Sequence, residues 1–379
     1  MPNPFVIDVP AAPADLIDRE QELELLLGLA EGGHNSRLVA PRRYGKTTLL
    51  ASLGEEVHKL GLRWVYVDFF GVLSLGDVAA RIDRAYSEHL KGPLAAWYAG
   101  MRRRWLVRGR AGVPGTAVEF ESLPQPAAEE RLHELLDLPR GVHERTGSPT
   151  VVAFDEFQEV LAASDSADAF IRSRIQHHRQ EAAYVFAGSH PGLLAELFGA
   201  RDRPLYGQAR EVSLRPLPDT ALAEYIDLHF RQTGRDASNL LDDLLEVVRG
   251  HAQRAMLLAH HLWEATQPGK AGDAETWAAA LSAALSELQE GFERYWERLS
   301  ANERRVLAAV AWTGRWGTGK SLYANSTLER FRLSKGTARD VSRQLIRSGD
   351  LAQGEDGGSL TLIDPLLEAW IASGRRVPS

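Results

Sequence analysis

The chain of 379 residues contains no cysteine, which excludes disulfides and thiolate metal centres. It has no unbroken apolar run of the roughly 18 residues that a membrane-crossing helix needs. Its start, Met1-Pro2-Asn3-Pro4-Phe5, lacks a basic segment followed by an apolar one, so no secretory leader is expected. There is no internal repeat and no low-complexity tract. Nor is there a surplus of positive charge: the net charge of −7 speaks against a protein that coats nucleic acid over its whole surface. What remains is ordinary for a soluble folded chain, with 44% apolar and 25% charged residues. The length predicts two or three domains. Charge is unevenly spread. From Ser300 to Ser379 there are 12 Lys/Arg against 8 Asp/Glu, leaving 32 against 43 for the rest, so a basic C-terminal module follows an acidic body.

Two segments carry chemistry. Ala40-Pro41-Arg42-Arg43-Tyr44-Gly45-Lys46-Thr47-Thr48 follows the apolar Leu38-Val39 and precedes a helical pattern starting Leu49-Leu50. This strand–loop–helix fits G-x-x-x-x-G-K-[ST] in all but the first position, where Ala40 stands. Backbone N–H groups around Gly45 and at the helix start can face phosphate oxygens, and the helix dipole favours negative charge there. Lys46 would reach the β/γ-phosphates and the Thr47 hydroxyl would ligate Mg²⁺. The second segment, Thr150-Val151-Val152-Ala153-Phe154-Asp155-Glu156-Phe157, is an apolar run ending in two carboxylates. Its continuity suits a strand buried on both faces of a parallel sheet. Asp155 can hold a Mg²⁺ water shell, and Glu156 can take a proton from an attacking water. A strand end with solvated acids gives the same pattern for one acid, much less often for a pair beside a Lys46-type loop. A nucleotide site and the absence of cysteine together place the expected location in the cytoplasm.

The pattern along the chain predicts a helix from about Asp18, strands at Leu38, Arg63–Phe70, Thr150–Asp155, Ala183–Ser189 and Glu211–Leu214, and helices between them, including Leu75–Leu90, about 128–146 and 167–180. This alternation predicts a parallel sheet with helices on both faces. Residues 91–128 read as an irregular insertion. Its basic cluster Arg102, Arg103, Arg104, Arg108 and Arg110, with Trp97 and Trp105, suits either single-stranded nucleic acid or, the favoured reading, a solvated face whose tryptophans pack inward. After Pro216-Leu217-Pro218 the pattern is helical to about Leu299. Beyond it lie a helix at Asn302–Val310, a short helix at Ser326–Phe331, a turn at Ser334-Lys335-Gly336, a helix at Thr337–Ser348 and a hairpin within Leu351–Ile363. Helix-turn-helix plus hairpin is a winged-helix signature. The expected domains are 1–217, 218–299 and 300–379.

Arg42-Arg43-Tyr44-Gly45-Lys46-Thr47, Phe154-Asp155-Glu156-Phe157-Gln158, Gly188-Ser189 and Asp364-Pro365 together resemble the archaeal-type ATPases. These belong to the signal-transduction ATPases with numerous domains (STAND), among the AAA+-like P-loop NTPases. The resemblance spans about Leu16 to Trp370. It implies an α/β P-loop core, a helical lid and a C-terminal winged helix, with ATP and Mg²⁺ as ligands. It implies that Arg42, Arg43, Tyr44, Gly45, Lys46, Thr47 and Thr48 line the nucleotide, that Thr47 and Asp155 serve the metal, and that Glu156 is the water-activating base. Ser189 stands at the γ-phosphate sensor position, and Arg19 lies in the segment near the adenine. The lid motif departs from the family's Gly-His-Pro, reading Gly250-His251-Ala252-Gln253-Arg254. Arg254 stands one residue off the place of a sensor arginine, and a solvated helix residue is the alternative. Among Arg172, Arg174, Arg201, Arg203 and Arg210, Arg203 is the first choice for an arginine finger, which acts in trans only in a homo-oligomer.

In the last module Lys335, Arg339, Arg343 and Arg347 recur every four residues on one broad face, opposite the core stripe Ala338, Val341 and Leu345. Such a face can lie on DNA phosphates or meet a protein partner; Asp340 and the wing-tip pair Glu355-Asp356 oppose the former. The leading expectation is a Mg²⁺-dependent ATPase working as a slow molecular switch that repositions the winged helix. The second is a DNA-acting AAA+ ATPase of loading, transposition or replication. A non-hydrolysing nucleotide-binding protein is disfavoured by the intact acid pair, and nothing supports a small-molecule kinase.

Overall fold

The computed structural model describes residues 2–7, 12–110, 125–314, 321–354 and 359–374, with side chains described for all of these except 14, 105–110, 125 and 126. Contacts divide the chain into two compact units. One comprises residues 20–40 and 49–214; the other comprises residues 1–19, 41–48 and 215–379. No helix among the described residues is long and apolar enough to cross a membrane.

The elements of the first half are α1 (Glu20–Glu31), β1 (Ser36–Val39), α2 (Lys46–Lys59), β2 (Arg63–Asp68), α3 (Leu75–His89), α4 (Pro93–Arg110), α5 (Gln125–Leu136), α6 (Leu138–Thr146), β3 (Thr150–Asp155), α7 (Val160–Ala163), α8 (Ala167–Ile175), β4 (Ala182–Gly188), α9 (Pro191–Gly199) and β5 (Arg210–Ser213). The five strands form one parallel sheet in the order β2-β3-β4-β1-β5. β3 and β4 are buried along their whole length, as their unbroken apolar runs require. In register, Val39 lies beside both Gly188 and Ser213, and Asp68 beside Asp155. The strands therefore end in line, and β4 separates β1 from β3. Sites in open parallel sheets sit at this carboxyl edge. The expected α/β fold class is present.

Local chemistry explains the helices. α3 starts where the Ser74 hydroxyl accepts the Asp77 N–H at 3.1 Å, and it buries Val78, Ala79, Ile82 and Tyr86 at helical spacing. Residues 93–110, read as irregular from the sequence, are helical. Their arginine-rich composition hides an apolar stripe: Leu94 and Tyr98 are buried, with Trp97 and Met101 packed beside them. Tyr98 donates to Asp83 at 2.6 Å, and Arg102 pairs with Asp83 at 2.8 Å. The Arg145 guanidinium lies 4.2 Å over the Trp97 ring, so Trp97 is not an open stacking platform. The side chains of Trp105, Arg108 and Arg110 lie outside the described residues. The single helix expected near 128–146 is two, because Pro139 begins a new one at α6.

The other unit carries α10 (Asp219–Gln232), α11 (Leu241–Val248), α12 (Ala252–Ala265), α13 (Ala274–Arg298), α14 (Ala301–Thr313), α15 (Asn325–Arg330), α16 (Lys335–Arg347), the antiparallel pair β6 (Leu351–Gln353) and β7 (Leu360–Leu362), and α17 (Pro365–Ala372). One apolar core runs from Phe230 and Leu258 through Trp296 to Val306, Leu345 and Trp370. The helices before residue 299 and the elements after it thus share a core, although the sequence pattern changes there. Phe5 joins it: its ring lies 5.5 Å from Phe230, and its carbonyl oxygen 2.8 Å from His260 Nδ1. Lys335 and Gly336, read as a turn, open α16 instead, with Ser334 as N-cap accepting from Thr337 at 3.0 Å. Glu355 and Asp356 lie outside the described residues. The sequence pattern gave no helix after the hairpin; α17 forms because Asp364 caps it, accepting from the N–H groups of Leu366 and Leu367.

Candidate functional site

The loop between β1 and α2 turns on Gly45, whose φ of +89° lies where side-chain-bearing residues are strained. Arg43 also has a positive φ, +69°. Lys46 opens α2 and is largely buried, as are Tyr44 and Thr48, whereas Arg42, Arg43 and Thr47 are exposed. The loop is fastened to the start of α12. The Gln253 N–H donates to the Arg43 carbonyl at 3.2 Å, and the Tyr44 ring meets His251 edge-on at 4.9 Å. Gly250, just before α12, lets the chain pack against Leu217: its φ is +74°, and a Cβ there would come within 2.5 Å of the Leu217 carbonyl oxygen.

Arg254, on the next turn, is fully buried. Its Nε donates to both Asp364 carboxylate oxygens at 3.0 and 3.1 Å, one terminal nitrogen donates to Oδ2, and the other to Gln253 Oε1 at 3.0 Å. Burial alone would raise the Asp364 carboxyl, but the hydrogen bonds and charge of Arg254 outweigh it and hold it below its usual range. Arg249 pairs with the buried Glu368 of α17. Helix α17 is therefore tied by two ion pairs to residues on either side of Gly250-His251. Arg254 is neither solvated nor idle, and its guanidinium is committed to Asp364.

His251 is buried, and its Nδ1 accepts the Arg254 N–H at 3.3 Å. Burial, opposed by Asp364 and reinforced by Arg254 and Arg43, pushes its pKa down to about 4. The folded state therefore binds fewer protons than the unfolded one, where the pKa is about 6.5. His251 should contribute about 3 kcal/mol that is present above pH 6.5 and lost as pH falls toward 4. Urea melts at pH 7, 5.5 and 4 on wild type and His251→Asn check this; the variant should lose much of the slope.

At the end of β3, Asp155 is buried. Its Oδ2 accepts from the Tyr66 hydroxyl at 2.8 Å and its Oδ1 from the Glu156 N–H at 2.8 Å. Burial and then the Asp155 charge raise the Tyr66 phenol well above its ordinary value, so Tyr66 remains a donor. Glu156 is held left-handed, with φ 49° and ψ 41°, a strain of about 1–3 kcal/mol for a residue other than glycine. Its Oε2 accepts from Ser189 Oγ at 2.7 Å, Ser189 N at 3.3 Å and Gln158 Nε2 at 2.6 Å. His190 Nδ1 lies 3.1 Å from Gln158 Nε2. The sheet thus brings together Asp155, Glu156 and Ser189, all singled out in the sequence. It adds Tyr66 and His190, and Gln158, which the motif contained without a role.

Arg19 is buried and donates to the Arg215 carbonyl at 2.6 Å. Arg203 lies 3.6 Å from Asp168 Oδ2 and 3.5 Å from Glu196 Oε1 within its own chain. Arg174 pairs with Asp137 at 3.3 Å, while Arg201 and Arg210 are exposed. Lys335, Arg339, Arg343 and Arg347 are exposed on α16, with Ala338 and Leu345 buried opposite. Among the described residues no three His, Asp or Glu side chains converge as a metal cage. The Asp155 carboxylate, at the end of β3, offers the oxygen donors that suit a Mg²⁺ held mostly by water and phosphate.

No protein-family model matches the chain, and no curated protein matches it. Solved structures do. The Walker-type ATPase of Pyrococcus abyssi is similar at 17% identity with a TM-score of 0.69, over 97% of this chain and 99% of that one. The ORC2 protein of Aeropyrum pernix, in its ADPNP–ADP complexes, is similar at 16% identity with a TM-score of 0.61, over 98% of this chain and 97% of that one. These likenesses are of fold: the chain shares the architecture of these two solved proteins along nearly its whole length.

Proposed function

We propose that this chain is an ATP-hydrolysing molecular switch in which the nucleotide at the Gly45–Thr48 loop sets the position of the C-terminal winged helix. One observation carries the reading. The Arg43 carbonyl is bonded to Gln253, and the neighbouring Arg254 is bonded to Asp364 at the head of α17. A loop that moves when phosphates bind pulls on this chain of contacts. Backbone N–H groups near Gly45 and the Lys46 ammonium hold the β/γ-phosphates. Thr47 and Asp155 are the oxygen donors that would serve Mg²⁺, which when bound would neutralise charge on the phosphate oxygens. Glu156 accepts one proton of the attacking water and releases it after the phosphate leaves. Ser189 fixes the Glu156 carboxylate from one side.

A second reading, a DNA-acting AAA+ ATPase, is favoured by the four exposed cations of α16. One assay separates the two. Mg²⁺-dependent ATP hydrolysis is measured with and without duplex DNA at 50 and 200 mM salt. The switch reading expects slow turnover indifferent to DNA. DNA stimulation that loses about 10²-fold in apparent affinity between those salts, as release of counterions by four cations requires, would replace it with the second.

A further inference from the structure

We propose that Gln158 is a positioning residue for Glu156, and that Gly188 and His190 hold it in place. This role rests on reading Glu156 as the base. Gln158 is buried on the turn after β3. Its Nε2 lies 2.6 Å from Glu156 Oε2 and 3.1 Å from His190 Nδ1. The Glu156 carboxylate is an acceptor, so one amide proton is committed to it, and the other reaches His190 Nδ1 in the tautomer that leaves this nitrogen unprotonated. Turning the amide over would set Oε1 against the Glu156 carboxylate oxygen. The orientation is therefore fixed, although it leaves the buried Oε1 with no hydrogen-bond partner. A buried carbonyl oxygen left unpaired is unfavourable, and such a group is explained better by what its other end does than by stability.

The sheet makes room for this amide at one position. At Gly188 a Cβ would overlap Gln158 Oε1 and lie 2.8 Å from Leu194 Cδ1. Glycine at the end of β4 therefore admits the glutamine side chain. Donors then reach Glu156 Oε2 from two sides, Ser189 from β4 and Gln158 from β3's own turn. Together they fix a carboxylate whose backbone is already in a left-handed conformation. A base displaced by about 1 Å loses about 10²-fold in rate.

Gln158→Met tests this, because methionine keeps the length while removing both the donor and the orphaned oxygen. The expected result is a melting temperature equal to or above wild type, an ATP dissociation constant within about twofold, and kcat lower by about 10- to 100-fold. Gly188→Ala, which displaces the amide without altering it, should lower kcat in the same direction. Combined with Glu156→Gln, Gln158→Met should cost nothing further. A wild-type kcat for Gln158→Met overturns the role. So does a full additional loss in the Glu156→Gln background, or a fall in melting temperature that accounts for the lost activity. Should Glu156→Gln itself hydrolyse ATP normally, the base assignment fails. A dead Glu156→Gln beside a fully active Gln158→Met overturns the role of Gln158 alone.

Discussion

Glu156→Gln is expected to bind ATP as tightly as wild type and to hydrolyse it about 10²- to 10⁴-fold more slowly. The substitution keeps shape and most hydrogen bonding. A glutamine amide oxygen can occupy the Oε2 position, where Ser189 and Gln158 donate, so the turn after β3 stays folded. An amide cannot take the proton of an attacking water, and only that step is lost. Lys46→Ala should give the opposite signature, because the phosphates lose their cation while the base remains: binding disappears and hydrolysis with it. Equilibrium titration with ATP and single-turnover hydrolysis separate the two. Normal single-turnover rates in the Glu156→Gln protein would remove Glu156 from the mechanism.

The second large effect is on folding. Asp364→Ala leaves the Arg254 guanidinium buried without its counter-charge, which costs about 3–5 kcal/mol. It also removes the cap of α17, for about 1 kcal/mol more. Against a total stability of about 5–15 kcal/mol, the urea midpoint should fall steeply. Asp364→Asn retains an oxygen that can cap and should be milder. Adding Arg254→Met to Asp364→Asn should recover most of the loss, since no buried charge then remains. If the double variant is no more stable than Asp364→Asn, the pair is not the source of the effect.

The centre of the sheet was legible because β3 and β4 are buried on both faces, and burial writes itself as unbroken apolar runs such as Val151–Phe154. The acid pair was legible because both carboxylates are adjacent in sequence. The residues around it were not. Tyr66 reaches Asp155 across 89 positions only because β2 pairs with β3 in one register, and His190 reaches Gln158 across 32. Nothing in the local pattern of α12 announces that Arg254 is buried, because its partner lies 110 residues away. α4 was missed for a different reason: its arginines obscured the Leu94, Tyr98 and Met101 spacing that makes it a helix.

The membership of residues 41–48 in the unit built by residues 215–379 has a consequence for synthesis. The ribosome releases the loop early, yet the groups that fasten it, Gln253 and His251, come some two hundred residues later, and Asp364, which anchors their neighbour Arg254, later still. A nascent chain that has completed its five parallel strands has every residue of the loop and none of these fastenings. The loop's final setting therefore waits for the carboxyl-terminal helix.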